Sequence, residues 1–161
     1  MIYAWGPQAA AIVPYGIAGT NAQVTVTHLG QTSTAFSVPI VPAAPGIFTL
    51  DSTGHGPAAA INQDGITVNT ASTPTNIGDI ISLYATGEGQ TTPSGVDGKP
   101  ASVPCPCANL PVTATVGGQN APVKYAGGAP GLVAGVMQVN VQIPAGIRGV
   151  SGKVPKRRSV S

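Results

Sequence analysis

The sequence predicts an all-β fold of the sandwich type, and three observations support this prediction. Short runs in which apolar and polar residues alternate recur along the chain, and a period of two residues is typical of half-buried strands. Turn-forming residues separate these runs, because Gly occurs 22 times and Pro 16 times in 161 residues. The same residues exclude a long helix, since inside a helix a Gly costs about 1 kcal/mol and a Pro about 3 kcal/mol.

The first clear pair of strands lies in the N-terminal part of the chain. Residues 22–29 alternate cleanly, and residues 34–41 follow them after Gly30 as a natural hairpin partner. Pro39 has no N–H group to donate, so its strand is expected at the edge of a sheet.

The remaining strands are predicted between residues 46 and 144. Residues 79–87 are almost continuously apolar or β-branched, which predicts a central strand, and residues 135–144 alternate with Val139, Val141 and Ile143 inward. Turns are predicted at Asp64–Gly65 and Gly117–Gly118. The other predicted strands are residues 46–50, 57–62, 66–69, 112–116 and 121–125. A chain of about nine or ten short strands is typical of immunoglobulin-like sandwiches.

One long segment shows no strand pattern. Residues 87–110 concentrate Thr, Pro, Ser and Gly and include both cysteines. A loop of this length in a compact domain is usually functional or forms a contact surface.

An internal repeat divides the chain into two modules. Residues 44–47 return as residues 129–132, and residues 12–19 return as residues 142–149. We therefore predict tandem immunoglobulin-like sandwiches. Residues 1–45 are the final strands of a first module that is only partial within this chain, and residues 46–161 are a second module with the long loop 87–110.

Incomplete sandwiches would expose apolar faces and unpaired strand edges. Insertion of a strand from a neighbouring copy would satisfy these edges and would propagate head to tail into a helical filament. The sequence therefore predicts a homo-oligomeric structural subunit of an extracellular filament or surface layer. The alternative is a carbohydrate- or surface-binding accessory module of a large secreted protein.

Residues 12–19, 81–93 and 125–144 also carry a family resemblance. The chain resembles, over about residues 8–150, the Solibacter-type uncharacterised C-terminal domain of large secreted acidobacterial proteins. The resemblance implies an exported bacterial protein with immunoglobulin-like domains, and it implies no assigned activity and no catalytic residues. Residues 4–7 and 156–158 depart from the family's pattern.

The chain shows no catalytic pattern. No nucleophile motif surrounds any Ser or Cys, so we predict that the protein is not an enzyme and has no cofactor. No loop carries acidic residues at alternate positions, which argues against a calcium site, and Asp64 is better explained as a turn residue. His28 is expected on a strand and His55 on a loop.

Two sets of residues are candidates for covalent modification. Thr and Ser close to Pro resemble O-glycosylation acceptors, although ordinary turn chemistry explains them equally well. These candidates are Thr73, Thr75, Thr92 and Ser94. Cys105 and Cys107 are too close in sequence for a relaxed disulfide, so they form a strained ring, pair with another chain or stay reduced.

Charge and hydropathy bear on the partners. Charged residues make up 7% of the chain, against about 25% in an average soluble domain, so Thr, Ser, Asn, Gln and Gly must solubilise it. This polar set is typical of extracellular β modules. A basic cluster at Lys153, Lys156, Arg157 and Arg158 is expected to be a solvated tail, and only 4% of residues are aromatic, so no nucleic-acid partner is predicted. No apolar run is long enough to span a membrane.

Overall fold

The protein is an all-β molecule, as the sequence predicts. The computed structural model describes residues 3–6, 8–102 and 104–147, and the basic cluster of residues 153–158 lies outside them. Within these residues all the regular elements are strands. They are β1 (Tyr3–Trp5), β2 (Gln8–Ala10), β3 (Asn21–Val24), β4 (Thr27–His28), β5 (Gln31–Thr32), β6 (Phe36–Pro39), β7 (Gly46–Ile47), β8 (Ala60–Ile61), β9 (Ile80–Thr86), β10 (Thr91–Thr92), β11 (Cys107–Ala108), β12 (Ala114–Val116), β13 (Gln119–Ala121), β14 (Val123–Gly128) and β15 (Val136–Gln142).

A seven-stranded antiparallel sheet forms the main body. Its strand order is β10-β11-β14-β15-β9-β7, and β8 also pairs with β9 on the same side as β7. The two longest strands, β9 and β15, lie side by side in the middle, with Val141 opposite Ile81 and Met137 opposite Ala85. The prediction of a central strand at residues 79–87 is therefore confirmed.

The core lies on one face of this sheet. Along β15 the buried and half-buried residues alternate, which confirms that Val139, Val141 and Ile143 point inward. A separate two-stranded sheet, β12–β13, covers this face and packs Val112 and Ala114 against it. The buried cluster consists of Ile81, Ala85, Ala121, Met137, Val139, Val141 and Ile143. These two packed layers have the character of a β-sandwich.

The predicted turns are also confirmed. Gly117 and Gly118 join β12 to β13 and have φ angles of 57° and 81°, as a two-residue hairpin turn requires at both positions. In the other turn the Asp64 carboxylate accepts hydrogen bonds from the backbone N–H groups of Ile66 and Thr67, at 2.9 and 2.8 Å. Asp64 is thus the turn residue that the sequence predicts.

The prediction that residues 87–110 lack strands was wrong at two places. Thr91 pairs with Ala108 and Thr92 with Cys107, which places β10 and β11 at the edge of the main sheet. Pairing is allowed here because β11 lies against Gly127 of β14, where a Cβ atom would be only 2.2 Å from the Pro106 oxygen. The contact between β11 and β14 is possible because Gly127 has no side chain. The prolines beside β10 and β11 interrupt the alternation of apolar and polar residues by which a strand is recognised in the sequence.

The N-terminal residues form hairpins outside the main sheet. β1 pairs with β2, β3 pairs with β6, and β4 pairs with β5, each pair forming a two-stranded sheet. Together β3 to β6 make one long hairpin over residues 20–40, hereafter the donor hairpin. None of the described residues forms a helix long and apolar enough to cross a bilayer.

Candidate assembly surface

The donor hairpin has one apolar and one polar face. Ala22 lies opposite Val38 and Val24 lies opposite Phe36, so these four side chains share a face. The other face carries Asn21, Gln23, Ser37 and Pro39. Two strands that alternate in register produce a ribbon with one apolar and one polar side.

That apolar face is open to solvent in the described structure. Phe36 is 71% exposed and Val24 is 48% exposed, and towards the tip of the hairpin Leu29 is 89% exposed. Large apolar side chains on a monomer are usually scattered singly, and a contiguous row of them marks an interaction site.

The donor hairpin is held together from within. Every hydrogen bond that the described structure gives to residues 20–40 has its partner in the same segment. The N–H group of Ile40 donates to the Thr20 oxygen at 2.9 Å at the base, and the hydroxyls of Thr27 and Thr32 are 2.8 Å apart near the tip. The donor hairpin is therefore hydrogen-bonded as a separate element.

The two edges of the donor hairpin differ in their ability to pair. Because Thr20 and Ile40 form a hydrogen-bonded pair, the next pair, Asn21 and Pro39, directs its backbone groups outward. The outer edge of β6 therefore lacks a donor at Pro39, which confirms the prediction that Pro39 lies in an edge strand. The outer edge of β3 carries the N–H and C=O groups of Asn21 and Gln23.

The segment before the donor hairpin is anchored to the main body through Tyr15. Its hydroxyl donates to Glu88 Oε1 at 3.0 Å, and its backbone N–H donates to Asp97 Oδ1 at 2.9 Å. The Gln90 side-chain amide in turn donates to the backbone carbonyl oxygen of Tyr15 at 2.8 Å. Gly95 leaves room for the ring, since a Cβ atom there would lie 2.5 Å from it.

The segment after the donor hairpin is anchored at the same place. The Ala44 N–H donates to the Gly87 oxygen at 2.9 Å, and a Cβ atom on Gly87 would meet the Ala44 oxygen at 2.1 Å. Residues 87–97 thus hold both ends of the donor hairpin. The long segment that the sequence marks as a contact surface contacts this part of the same chain.

The anchor contains a buried carboxyl group. Glu88 is 5% exposed, and its Oε2 atom has no hydrogen-bond partner among the described residues. Burial raises the pKa of Glu88 above its ordinary 4.5, and the hydrogen bond from Tyr15 opposes this shift. Burial, followed by the charge of Glu88, raises the pKa of Tyr15 to about 12. Sequence reasoning missed this pair, because a lone Glu between two glycines resembles an ordinary loop residue.

The candidate glycosylation sites are not brought together by the fold. Thr73 and Thr92 are exposed, but their hydroxyls donate to the Val68 oxygen at 2.6 Å and to Asn109 Oδ1 at 2.7 Å. The Thr75 hydroxyl lies 3.3 Å from Asp79 Oδ2, while Ser94 is exposed. The hydroxyls of Thr73 and Thr75 therefore take part in local turn hydrogen bonds, whereas that of Thr92 bonds across the β10–β11 pair. O-glycosylation at the four positions stays a prediction.

The cysteines lie at the edge of the main sheet. Cys105 is half-buried and Cys107, in β11, is exposed, and both are free thiols. The Cys107 thiol lies 3.6 Å from the Cys105 oxygen. The strained ring disulfide is therefore not formed in this structure, and pairing with another chain stays a prediction.

The histidines lie where the sequence predicts them. His28 is at the end of β4 and His55 is in a loop, and both are exposed. Within residues 3–6, 8–102 and 104–147, no group of three His, Cys, Asp or Glu side chains is arranged to hold a metal ion. The open donor hairpin is thus the feature of the described structure that points most directly to an interaction.

Comparison of the chain with protein-family models, with curated proteins and with solved structures found no match.

Proposed function

We propose that this protein is a structural subunit of an extracellular filament or surface layer that assembles head to tail by strand complementation between subunits. The observation that carries the proposal is the apolar row of the donor hairpin, in which Val24, Phe36 and Val38 are exposed to solvent and Ala22 is half-buried. A two-stranded hairpin is marginally stable in water by itself, so a partner that covers this row stabilises it.

Burial of this row supplies a driving force for association. Each Val or Phe side chain that is fully removed from water contributes about 1.5 to 3 kcal/mol. The strand edges add backbone hydrogen bonds, which give affinity in known cases of strand addition. Natural proteins often protect exposed edges with charged residues, and β3 and β6 carry none.

Complementation of this kind is directional. The donor hairpin differs from any surface of the main sheet, so donor and acceptor are different patches and the contact is heterologous. Repetition of a heterologous contact produces a ring or an open filament. The low charge of the chain, which leaves Thr, Ser, Asn, Gln and Gly to solubilise it, supports an extracellular location.

A pair of matched double variants tests the proposal. In V24T/F36T the apolar row becomes polar, whereas in Q23T/S37T the opposite face of the same strands changes. Loss of two apolar side chains that the assembly would bury is expected to weaken self-association about a hundredfold or more. Light scattering after size exclusion, combined with negative-stain microscopy, measures the effect.

The control variant Q23T/S37T is expected to assemble like the unchanged protein. Thermal unfolding of both variants checks that the main sheet is intact, since the donor hairpin makes no hydrogen bond to it. Equal assembly of the two variants would refute the role of the apolar row.

A second candidate function is a carbohydrate- or surface-binding accessory module. The face of the main sheet opposite the core carries Phe48, Tyr84 and Gln138 in one row, because Phe48 N–H donates to the Tyr84 oxygen at 2.9 Å and Tyr84 lies opposite Gln138. The Gln138 amide donates to Asn140 at 2.8 Å. Aromatic rings beside amides suit the apolar and hydroxyl faces of sugars. A chain that stays monomeric and is retained by insoluble polysaccharide would favour this candidate.

A further inference from the structure

Among the described residues, the layer that covers the core has an open strand edge. Along residues 112–116 the side chains of Val112, Ala114 and Val116 are half-buried against the core, while Thr113 and Thr115 are exposed. β12 pairs with β13 on one side, and within the described residues no strand pairs with its other side. A layer of two strands thus faces the seven-stranded sheet.

The free edge of β12 presents backbone groups that are ready to pair. In a hairpin with a two-residue turn, the residues flanking the turn form a hydrogen-bonded pair, which here is Val116 and Gln119. The next residue, Thr115, therefore directs its N–H and C=O outward. Thr113 precedes β12 and continues its alternation of exposed and half-buried residues, so we expect its backbone groups to point the same way. Outside the β12–β13 ladder, no hydrogen bond among the described residues uses the backbone of Thr113 or Thr115.

The internal repeat indicates which segment fits this edge. Residues 12–19, which lead into the donor hairpin, are echoed in sequence by residues 142–149. The described part of this echo, up to Ile147, runs from the end of β15 to the turn between β12 and β13, where a Cβ atom on Gly117 would lie 3.2 Å from Ile147 and one on Gly146 would lie 3.4 Å from Gln119. The donor hairpin therefore belongs, by its sequence context, beside the β12–β13 layer of a module like the main body. Because the hairpin's own chain holds it at residues 87–97, the body that it meets is that of a second copy.

We infer that β3 of one copy adds to the free edge of β12 in the next copy. The inference rests on the proposed function and names its acceptor. β3 is the pairing strand because β6 lacks a donor on its outer edge at Pro39. In this arrangement Ala22 and Val24 extend the inward row of Ala114 and Val116, and the neighbour's hairpin enlarges the two-stranded layer over the core.

Disulfide trapping tests this pairing. In a background in which Cys105 and Cys107 are replaced by Ser, a Gln23→Cys protein is mixed with a Thr113→Cys or a Thr115→Cys protein and mildly oxidised. All three positions lie on the solvent side of their strands. Adjacent strands are about 4.8 Å apart, within the reach of a disulfide, so linked heterodimers are expected in at least one mixture.

The matched control is Ser37→Cys, which lies directly opposite Gln23 on β6. β6 would be one strand further from β12, about 10 Å away, where Cα atoms are too distant for a disulfide. At least about tenfold more heterodimer with Gln23→Cys than with Ser37→Cys is expected from this geometry.

The outcomes separate this inference from the function on which it rests. If assemblies form in light scattering but Ser37→Cys links at least as well as Gln23→Cys, or neither links, the β3–β12 pairing is wrong while strand complementation stands. If every mixture stays monomeric, both the pairing and the proposed function are wrong. Slow amide exchange at Thr113 and Thr115 in the unchanged assembly gives a second readout, and fast exchange there would also overturn the pairing.

Discussion

At the scale of single residues, one buried pair links the donor hairpin to the main body. Tyr15 and Glu88 are 73 positions apart in sequence, and their hydrogen bond lies among partly buried atoms. Burial of a carboxyl group favours its neutral form, so the Glu88 pKa is raised. The anchor of the donor hairpin is therefore sensitive to pH.

The sign of this effect follows from proton linkage. The folded-state pKa of Glu88 lies above its ordinary value of 4.5. Between pH 4.5 and the raised pKa, the folded chain therefore binds more protons than the unfolded chain. The contribution of Glu88 to the free energy of unfolding is fully present below pH 4.5 and is lost as the pH rises through the raised pKa. The raised pKa of Tyr15 acts in the same direction at alkaline pH, between 10.0 and about 12.

The variant Glu88→Gln is expected to flatten this dependence. Gln carries no titrating proton, so the fall in the free energy of unfolding as the pH rises above 4.5 shrinks. Urea unfolding at several pH values measures the slope. The control is Asp64→Asn. Hydrogen bonds from Thr67 and Ile66 lower the pKa of Asp64, so its contribution to the pH dependence of the free energy of unfolding lies below pH 3.8. An unchanged slope in Glu88→Gln would contradict the account of the anchor.

At the scale of elements, strands with regular alternation could be predicted and strands without it could not. β15 buries every second residue, and this period is visible in the sequence itself. The donor hairpin was predictable for the same reason, and so was the edge position of Pro39. β10 and β11 have two residues each, too few for a period, and they pair because Gly127 allows close approach.

The variant Gly127→Ala tests the close approach directly. Its Cβ atom would lie 2.2 Å from the Pro106 oxygen and 2.9 Å from the Cys107 Cα atom, both backbone atoms that cannot move aside cheaply. The expected loss is about 1 to 3 kcal/mol, which lowers Tm by several degrees.

The matched control is Gly16→Ala, where a Cβ atom would meet nothing within 4 Å. This control is expected to be neutral or slightly stabilising, because Ala restricts the unfolded chain. Equal melting temperatures for the two variants in calorimetry would show that β11 does not depend on a bare Gly127.

At the scale of the whole molecule, the described structure joins a well-packed body to an unpacked donor hairpin. The main sheet and β12–β13 bury a continuous core, whereas Phe36 on the hairpin is 71% exposed. The sequence predicts exposed apolar faces from its repeat, but it does not predict how the hairpin is held. The anchor through Tyr15 and Glu88 joins residues that are distant in sequence, so no local sequence pattern predicts it.

The proposed strand complementation would explain this contrast between body and hairpin. A covered donor hairpin would bury its apolar row, and a filled β12 edge would satisfy the outward backbone groups of Thr113 and Thr115. Both conditions are met together when each copy donates to the next.

The state of assembly of the unchanged protein tests this claim most directly. Light scattering after size exclusion, with negative-stain microscopy of the same fractions, is carried out over a wide range of protein concentration. The account predicts a mass that increases with concentration and head-to-tail oligomers or filaments in the micrographs, because heterologous contacts propagate. A single monomeric species at every concentration would contradict it.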